Sequence, residues 1–375
     1  MPRAASGAET IFEFVVSPET TEWETWQCRI PTWTYPVGTD PQFSTLFVPT
    51  LDSTRYEFLL DVFVRQKKGV MFVGGPGTSK TSLVLHYLLS ANTTSENTSS
   101  KKINFSSATT PILFQRTIEG AVEKRQGRTF GPSGGKNMVV FLDDISMPEV
   151  NEWGDQVTNE LLRQLMDEQG FYSLEKPGEF KHVVDLQFIG AMNIPGASKN
   201  DIPNRLKRYF AIFNVTLPSQ ASIDTMFGTI LRGRFADAGP AIKRVASSLT
   251  EATIALWEKT SKKMLPTPAK FHYLFNMRDL SRVFQGILTA PRSVITSELI
   301  LLSLWKHECE RVFSDRFIDD GDKKWFNTAI LSQTEATFGK PVAAKLESSV
   351  LWVDFMRDAF EDADSGEMLP APKIY

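Results

Sequence analysis

The stretch G-G-P-G-T-S-K-T, from Gly74 to Thr81, decides the fold of this chain. It follows an apolar run at 69–73 and precedes a helical pattern whose apolar positions share one face: Leu83, Val84, Tyr87, Leu88 and Ala91. A strand, a glycine-rich turn, a Lys-Thr pair and a helix in this order predict a phosphate-binding loop. The backbone N–H groups of such a loop point at phosphate oxygens, and the N-terminus of the following helix adds positive potential.

The side chains of this loop predict a nucleotide site. Lys80 would reach the β- and γ-phosphates, and Thr81 would offer its hydroxyl to Mg²⁺. The rest of the cradle consists of Gly74, Gly75, Pro76, Gly77, Thr78 and Ser79. The usual pattern has glycine in place of Ser79, so a positive φ at this position would cost energy. The alternative interpretation is a glycine-rich turn that binds nothing.

A second motif, M-V-V-F-L-D-D at 138–144, is an apolar strand that ends in two carboxylates. A continuous apolar run is typical of a buried parallel strand, and ligands of open α/β sheets bind beyond the carboxyl ends of the strands. We therefore expect Asp143 to hold a Mg²⁺-linked water and Asp144 to polarise the attacking water. P-loop ATPases of the AAA+ type usually have glutamate at the second position, and aspartate has a shorter reach. The alternative is a solvated strand end.

Composition restricts the class of protein. The 375 residues are enough for about two or three packed units, and 42% of them are apolar and 23% charged. The net charge of −3 provides no basic field for nucleic acid, and no apolar run approaches the ~20 residues needed to span a bilayer. The distant Cys28 and Cys309 favour a reducing compartment over a disulfide scaffold. Neither nucleic acids nor membranes are therefore expected as partners.

Strand and helix patterns alternate over the first part of the chain, which predicts a doubly wound parallel sheet with helices on both faces. The five predicted strands lie at 69–74, 102–106, 138–143, 186–192 and 209–215. Two of the helical stripes between them consist of Phe114, Ile118, Ala121 and Val122, and of Val157, Leu161, Leu162, Leu165 and Met166. A Pro-Gly turn between alternating segments predicts a β-hairpin insertion near 171–188. This large α/β subdomain is expected to cover 49–218.

The regions on either side of 49–218 have different patterns. Residues 1–48 are predicted to be an extension of short strands, with tryptophans that cover the domain's own surface or meet a partner: Trp23, Trp26 and Trp33. After 218 the strand signal fades, which predicts an all-helical lid subdomain over 219–335. Its helical segments lie at 219–234, 240–263, 278–290, 293–313 and 322–333. Residues 336–375 are predicted to be a linker toward another module, with a helix around Leu351–Phe360.

Four further polar residues are candidates for the site. Asn193 follows the strand next to the carboxylate strand, so it could hold the attacking water, or it could simply cap the following loop. Arg205 and Arg208 are spaced i, i+3 and would face the same side of a helix. They could stabilise phosphoryl charge in a neighbouring module, or form only a solvated basic turn. Arg278, near a helix start, could couple a lid to the nucleotide, or pair with a surface carboxylate.

Together these segments resemble the AAA+ ATPase modules of dynein heavy chains, and most closely the third module of the motor ring. The stretches D-D-I-S-M-P (143–148) and F-N-M-R-D-L-S-R-V-F-Q-G (275–286) are far more specific than a phosphate loop. Dynein modules at this position commonly have a small residue such as Ser79 and an aspartate such as Asp144. Other matching segments are F-V-P-T-L-D-S-T-R-Y (47–56), G-P-S-G-G-K (131–136), E-L-L-R-Q-L-M-D (160–167), Q-F-I-G-A-M (187–192) and L-W-K-H-E-C-E-R-V-F-S-D-R (304–316).

The resemblance implies a module with a large α/β subdomain and a helical lid, which binds ATP or ADP with Mg²⁺. The residues that would serve its own site are Lys80, Thr81, Asp143, Asp144, Asn193 and Arg278. Arg55 would lie near the place where the family holds adenine. Arg205 or Arg208 would reach the site of the preceding module, and the arginine finger for this site would come from the following module.

The resemblance also implies a cellular role. In the family, six modules of one chain form a ring, and the third hydrolyses ATP slowly and gates the motor cycle of the first. The G-P-S-G-G-K and S-M-P segments favour an axonemal chain, in the cytoskeleton of a cilium or flagellum, over cytoplasmic dynein. Neighbouring modules would be direct partners, whereas intermediate chains, light chains and microtubules would be reached only through the parent chain.

Two consequences and two alternatives accompany this interpretation. Because an arginine finger contributes ~10³–10⁵ to related reaction rates, the isolated chain is expected to bind ATP but hydrolyse it very poorly. It is also expected to lack motor activity, since no long heptad repeat for a microtubule-binding stalk is visible. The first alternative is a static nucleotide-binding module, which the placement of Asp144 and Asn193 would distinguish. The second is a free-standing AAA+ remodelling ATPase, which would assemble into rings on its own.

Overall fold

The computed structural model of this chain contains a five-stranded parallel sheet and, later in the chain, a helical unit. It describes residues 10–17, 20–36, 41–94, 97–196, 200–346 and 350–353, with short strands at 360–361 and 368–369. None of the helices in the described residues is both long and apolar enough to cross a membrane.

The secondary structure of the described residues alternates between strand and helix until about residue 218, and is mainly helical afterwards. The strands are β1 (Phe14–Val16), β2 (Trp23–Thr25), β3 (Gly69–Gly74), β4 (Thr98–Asn104), β5 (Val122–Lys124), β6 (Thr129–Pro132), β7 (Asn137–Asp143), β8 (Gly170–Tyr172), β9 (Phe180–Val183), β10 (Leu186–Met192), β11 (Phe210–Val215), β12 (Phe360–Glu361) and β13 (Met368–Leu369). The helices are α1 (Leu51–Arg65), α2 (Lys80–Thr94), α3 (Pro111–Glu119), α4 (Val157–Glu168), α5 (Asn204–Lys207), α6 (Gln220–Arg234), α7 (Pro240–Lys263), α8 (Met277–Thr289), α9 (Glu298–Val312), α10 (Asp320–Phe338) and α11 (Lys340–Lys345).

The main sheet has the strand order β11-β3-β10-β7-β4, and each pair of adjacent strands is parallel. The predicted doubly wound sheet is therefore confirmed. The central strands are buried along nearly their whole length, which explains their continuous apolar runs. β4 begins at Thr98, four residues before the predicted start at 102, because its first residues pair with β7 although they are polar and give no apolar strand signal.

Helices cover both faces of this sheet. On one face, α1 contacts the sheet through Tyr56, whose ring centroid lies 5.9 Å from that of Phe72, and through Phe63, 5.5 Å from Phe213. On the other face, α3 and α4 share one apolar cluster with the inward side chains of β4, β7 and β10: Ile103, Phe114, Ile118, Val140, Leu142, Leu162 and Phe188. The sheet is therefore the middle layer of three, the architecture in which ligands bind beyond the carboxyl ends of the strands.

A second, smaller sheet has the order β5-β6-β9-β8. β8 and β9 pair antiparallel in the region where a β-hairpin insertion was predicted. The predicted helical stripe through Ala121 and Val122 was wrong, because α3 ends at Glu119, Gly120 forms its C-cap, and Val122 begins β5 opposite Pro132. The apolar residues Ala121 and Val122 continue the helical spacing only by chance. The parallel pairing of β6 with β9 joins residues far apart in the sequence, so no local pattern predicts it.

The chain divides into two compact units. One contains the described residues of 1–30 and 51–218, and the other contains those of 31–50 and 219–375. The residues of the predicted 1–48 extension are thus divided between the units. Its tryptophans also differ, since Trp26 packs edge-on against Phe58 of α1 at 5.4 Å, whereas Trp23 is exposed.

The second unit has its own core, formed mainly by α6 to α10. Trp305 of α9 is fully buried there, and its indole N–H donates to the Thr253 hydroxyl of α7 at 2.8 Å. The predicted helices are confirmed, although α9 begins at Glu298 and not at 293, because Ser297 is its N-cap and accepts from the Ile300 N–H. The helix expected around Leu351–Phe360 lies largely outside the described residues.

The close contact at Gly74 gives a stability prediction. A Cβ at Gly74 would lie 2.3 Å from the Val215 carbonyl oxygen of the adjacent strand. Because this obstacle is backbone, we expect Gly74→Ala to lower the free energy of unfolding by about 1–3 kcal/mol, the usual cost of overpacking. Gly75→Ala is the matched control, since no described heavy atom lies within 4 Å of its added Cβ. Urea unfolding followed by circular dichroism measures both, and equal losses would contradict the prediction.

Candidate functional site

The predicted phosphate loop joins the end of β3 to the start of α2. The backbone turns into the left-handed region at Gly77, with φ 80°, and at Ser79, with φ 63°. The second value means that the serine adopts a conformation which glycine would adopt without strain. The loop geometry thus follows the glycine pattern at the position where the sequence departs from it.

Lys80 is buried and its ammonium points back into the loop. It donates to the carbonyl oxygens of Gly74 at 2.8 Å and Gly75 at 2.7 Å, and to the Thr78 hydroxyl at 3.0 Å. The first turn of α2 is closed by the Leu83 N–H, which donates to the Ser79 carbonyl at 2.9 Å. The N–H groups at a helix start have no intrahelical acceptors. A lysine ammonium and a helix N-terminus beside one loop form a donor set that fits phosphate.

Thr81 and Asp143 are 62 positions apart in the sequence and meet at the carboxyl ends of the parallel strands. The Thr81 hydroxyl donates to Oδ1 of Asp143 at 3.0 Å. Asp143 is the last residue of β7, and its side chain is only 15% exposed. A hydroxyl and a carboxylate side by side are the two protein groups that fit a Mg²⁺ ion bound mainly by phosphates. The site therefore fits a Mg²⁺–nucleotide complex: Thr81 and Asp143 would serve the metal, and the buried Lys80 would serve the phosphates.

Asp144 and Asn193 lie together beyond the ends of β7 and β10. The amide Nδ2 of Asn193 is 3.5 Å from Oδ1 of Asp144. Asp144 has a φ of 55°, and its carbonyl accepts from the Met147 N–H at 3.0 Å, which closes a tight turn. The left-handed backbone directs the chain out of the strand just after Asp143. The structure therefore places the two predicted water-handling side chains next to each other.

Sequence reasoning missed two residues that hold this turn. Gln156 is buried, and its amide donates to the carbonyl oxygens of Ser146 at 3.2 Å and Pro148 at 3.1 Å. Asn159, fully buried on α4, donates to the Ile145 carbonyl at 3.1 Å and to the Gln156 side chain at 2.7 Å. Buried carbonyl groups need such partners, so the amides fix the segment that follows Asp144. An isolated Gln just before a helix and an isolated Asn within it give no sequence signal for this role.

A third missed residue is Lys102 of the edge strand β4. Its ammonium lies 3.4 Å from Oδ2 of Asp143. The only signal in the sequence is that Lys102 opens the strand predicted at 102–106, which does not show the face to which its side chain points.

Arg55 is engaged with the N-terminal segment. Its guanidinium donates to the Phe12 carbonyl at 3.2 Å and to the Glu13 carboxylate at 2.8 Å, and lies 6.0 Å from the Trp26 ring. These contacts fix the orientation of Arg55 within the first unit. The family resemblance predicts Arg55 near the adenine of a bound nucleotide, and the partners of Arg55 in this structure are residues of the segment before α1.

Arg205 and Arg208 are exposed and lie on and just after α5. Arg205 is 3.9 Å from the Glu160 carboxylate, and Arg208 is 3.6 Å from that of Asp167. The hydroxyl of Tyr209 and the Arg208 guanidinium keep the pKa of Asp167 below its usual value. The carboxylate therefore stays charged, and the two arginines are oriented by acidic groups of α4.

Arg278 belongs to the second unit, at the start of α8. Its backbone N–H donates to the Asn276 side chain at 2.8 Å, within a capping box completed by Asp279. Its side chain is exposed. The cap fixes where the helix begins and so fixes the position of Arg278 within its own unit.

The parallel sheet and the phosphate loop at the carboxyl ends of its strands define the class of this protein: it is a P-loop AAA+ module. Residues 35–218 match the sequence family described as P-loop containing dynein motor region, and residues 249–347 match the AAA+ lid domain. The chain therefore belongs to the dynein heavy-chain family, as an AAA+ region of the motor with its lid.

Individual relatives agree with this family. The chain is 49% identical over 377 residues to the dynein gamma chain, flagellar outer arm, of Chlamydomonas reinhardtii, an alignment that covers 96% of this chain and 8% of that protein. It is 47% identical over 383 residues to dynein axonemal heavy chain 5 of Rattus norvegicus, covering 100% of this chain and 11% of that protein. The chain thus spans only a small part of the length of these relatives.

The buried amide of Gln156 gives a second stability prediction. Gln156→Leu keeps a side chain of similar size but leaves the Ser146 and Pro148 carbonyl groups without their donor. Since a buried unpaired polar group costs about 1–3 kcal/mol, we expect a loss of that size in the free energy of unfolding. Gln164→Leu is the control, because its amide makes only an exposed contact with Glu168 on the same helix. Urea titration compares them, and a Gln156 variant as stable as the control would contradict the prediction.

Proposed function

We propose that this chain binds ATP or ADP together with Mg²⁺ at the edge of its parallel sheet. The observation that carries the proposal is the meeting of Lys80, Thr81 and Asp143 around one phosphate loop. The loop 74–79 would surround the phosphates, and Lys80 would exchange its carbonyl partners for phosphate oxygens. Thr81 would ligate the metal, and Asp143 would accept a hydrogen bond from a metal-bound water.

We further propose that the site hydrolyses ATP slowly. Bound ATP would supply the phosphoryl group that is transferred to water. Asp144 would orient and deprotonate that water, and Asn193 would hold it, which agrees with the 3.5 Å separation of their side chains. Arg278 would complete the site from the helical lid, and the arginine finger would come from the following module. The same separation favours hydrolysis over a purely static nucleotide site.

The place we propose for this chain is the third AAA+ module of an axonemal dynein heavy chain. Its nucleotide state would gate the motor cycle of the first module and so regulate movement of a cilium or flagellum. The similarity to an outer-arm flagellar chain and to an axonemal heavy chain supports the axonemal part of this assignment. The third position in the ring rests on the resemblance of the sequence motifs. Neighbouring modules of the same heavy chain would be its direct partners. Microtubules and the intermediate and light chains would be reached only through the parent chain.

Arg205 and Arg208 are proposed to act on the nucleotide of the preceding module. Their side chains are 71% and 63% exposed, which leaves them accessible to a neighbour. The carboxylates of Glu160 and Asp167 would hold them in place before that contact forms.

The binding proposal is tested with Lys80→Ala. Charge-assisted hydrogen bonds contribute about 1.5–3 kcal/mol each, so we expect the affinity for Mg-ADP and Mg-ATP to fall roughly ten- to hundredfold or more. Calorimetric titration of the purified chain measures this affinity. Lys101→Ala is the matched control, because Lys101 is exposed on β4 and should leave the affinity unchanged. The proposal fails if the unaltered chain binds neither nucleotide, or if both variants lose affinity equally.

The hydrolysis proposal is tested by phosphate release. Because the finger is supplied by another module, we expect the isolated chain to turn over ATP about 10³-fold or more slowly than a complete motor. Asp144→Asn is expected to abolish the remaining turnover while nucleotide binding persists. Turnover near that of a complete motor would show that no neighbour is needed. Turnover that Asp144→Asn does not change would contradict the catalytic role of Asp144, whereas bound nucleotide with no measurable turnover would favour a static site.

A further inference from the structure

Lys102 contacts the candidate site but has no role in the proposed binding or hydrolysis of nucleotide. Its ammonium lies 3.4 Å from Oδ2 of Asp143, while Oδ1 of the same carboxylate accepts from the Thr81 hydroxyl at 3.0 Å. The Asp143 carboxylate is thus engaged on one oxygen by the residue expected to ligate Mg²⁺, and on the other by a fixed positive charge.

The position of Lys102 is set by the sheet. Lys102 lies opposite Phe141 in the parallel pairing of β4 with β7, and its ammonium is 6.0 Å from the centre of that ring. Phe141 is fully buried, and the Lys102 side chain is 35% exposed. The lysine stem therefore lies on an apolar ring, and its charged end reaches the carboxylate at the strand end.

The positive charge of Lys102 would repel a Mg²⁺ ion bound near Asp143. A hydroxyl can donate to Asp143 and still offer a lone pair to a cation, so the contact of Thr81 with Asp143 is compatible with bound Mg²⁺. The ammonium of Lys102 is not, because it would share a single carboxylate with the divalent ion. Like charges held close together repel, and the repulsion is larger in a partly buried site than in bulk water.

We propose that Lys102 competes with Mg²⁺ for Asp143 and thereby sets the metal dependence of nucleotide binding. Lys102 is a positioning residue that acts through Asp143, and this role rests on the proposed nucleotide site. In the absence of metal, Lys102 neutralises Asp143 and keeps the carboxylate from repelling phosphate. When Mg²⁺ binds, it must displace the ammonium from Asp143 or bind beside it, and either costs free energy. Because Asp143 is neutralised with or without the metal, the site retains nucleotide over a wide range of Mg²⁺ concentration.

The experiment is calorimetric titration of the chain with ADP, which avoids turnover, at several Mg²⁺ concentrations and in EDTA. Lys102→Met keeps the stem on Phe141 but removes the charge. We expect it to lower the Mg²⁺ concentration for half-maximal enhancement of ADP binding about fivefold, the effect of one partly exposed charge pair. We also expect ADP affinity in EDTA to fall, because Asp143 is then uncompensated. Lys102→Arg restores the charge and should behave like the unaltered chain.

Lys101→Met is the matched control, since its side chain points to the other face of β4 and should leave both quantities unchanged. A Lys102→Met variant with unaltered Mg²⁺ dependence overturns the inference while the nucleotide site stands. So does a variant that loses ADP affinity equally with and without Mg²⁺, because Lys102 would then bind phosphate directly. If the unaltered chain binds no ADP, the proposed function itself is overturned, and the inference falls with it.

Discussion

The parallel pairing of β3, β10 and β7 is the constraint on which the candidate site depends. Val73 lies opposite Met192, and Gly190 lies opposite Leu142, so the carboxyl ends of the strands meet at one edge of the sheet. The phosphate loop, Asn193 and the two aspartates are brought together by this register. The hydrogen bond from Thr81 to Asp143 then joins the start of α2 to the end of β7.

The strand ends are also where the backbone is strained. Ser79 and Asp144 both have positive φ, which costs energy for residues other than glycine. Such conformations persist only when the surrounding structure holds them. At Ser79 the helix α2 begins immediately, and the Lys80 ammonium ties the loop together. After Asp144 the buried amides of Gln156 and Asn159 bind the following carbonyl groups. Packing and hydrogen bonds elsewhere therefore offset the strain at the site.

Helix α4 connects the two parts of the proposed mechanism. At its beginning, Asn159 holds the carbonyl of Ile145, just beyond the carboxylate turn. On its exposed side, Glu160 and Asp167 lie next to Arg205 and Arg208. One rigid element thus supports the chain's own nucleotide site and also the arginines proposed for a neighbouring site. Since Asn159 and Glu160 are adjacent, a shift of the turn and a shift of these arginines would be physically coupled.

The sequence by itself determined the phosphate loop, the carboxylate strand, the alternation of strands and helices, and the helical lid. Each depends on local spacing, which reports directly on burial and backbone conformation. Only the tertiary structure decided that β6 pairs with β9, that Lys102 faces Asp143, that Gln156 clamps the turn, and that Arg55 pairs with Glu13. These contacts join residues distant in sequence, and their partners depend on strand register and side-chain packing, which no local pattern encodes.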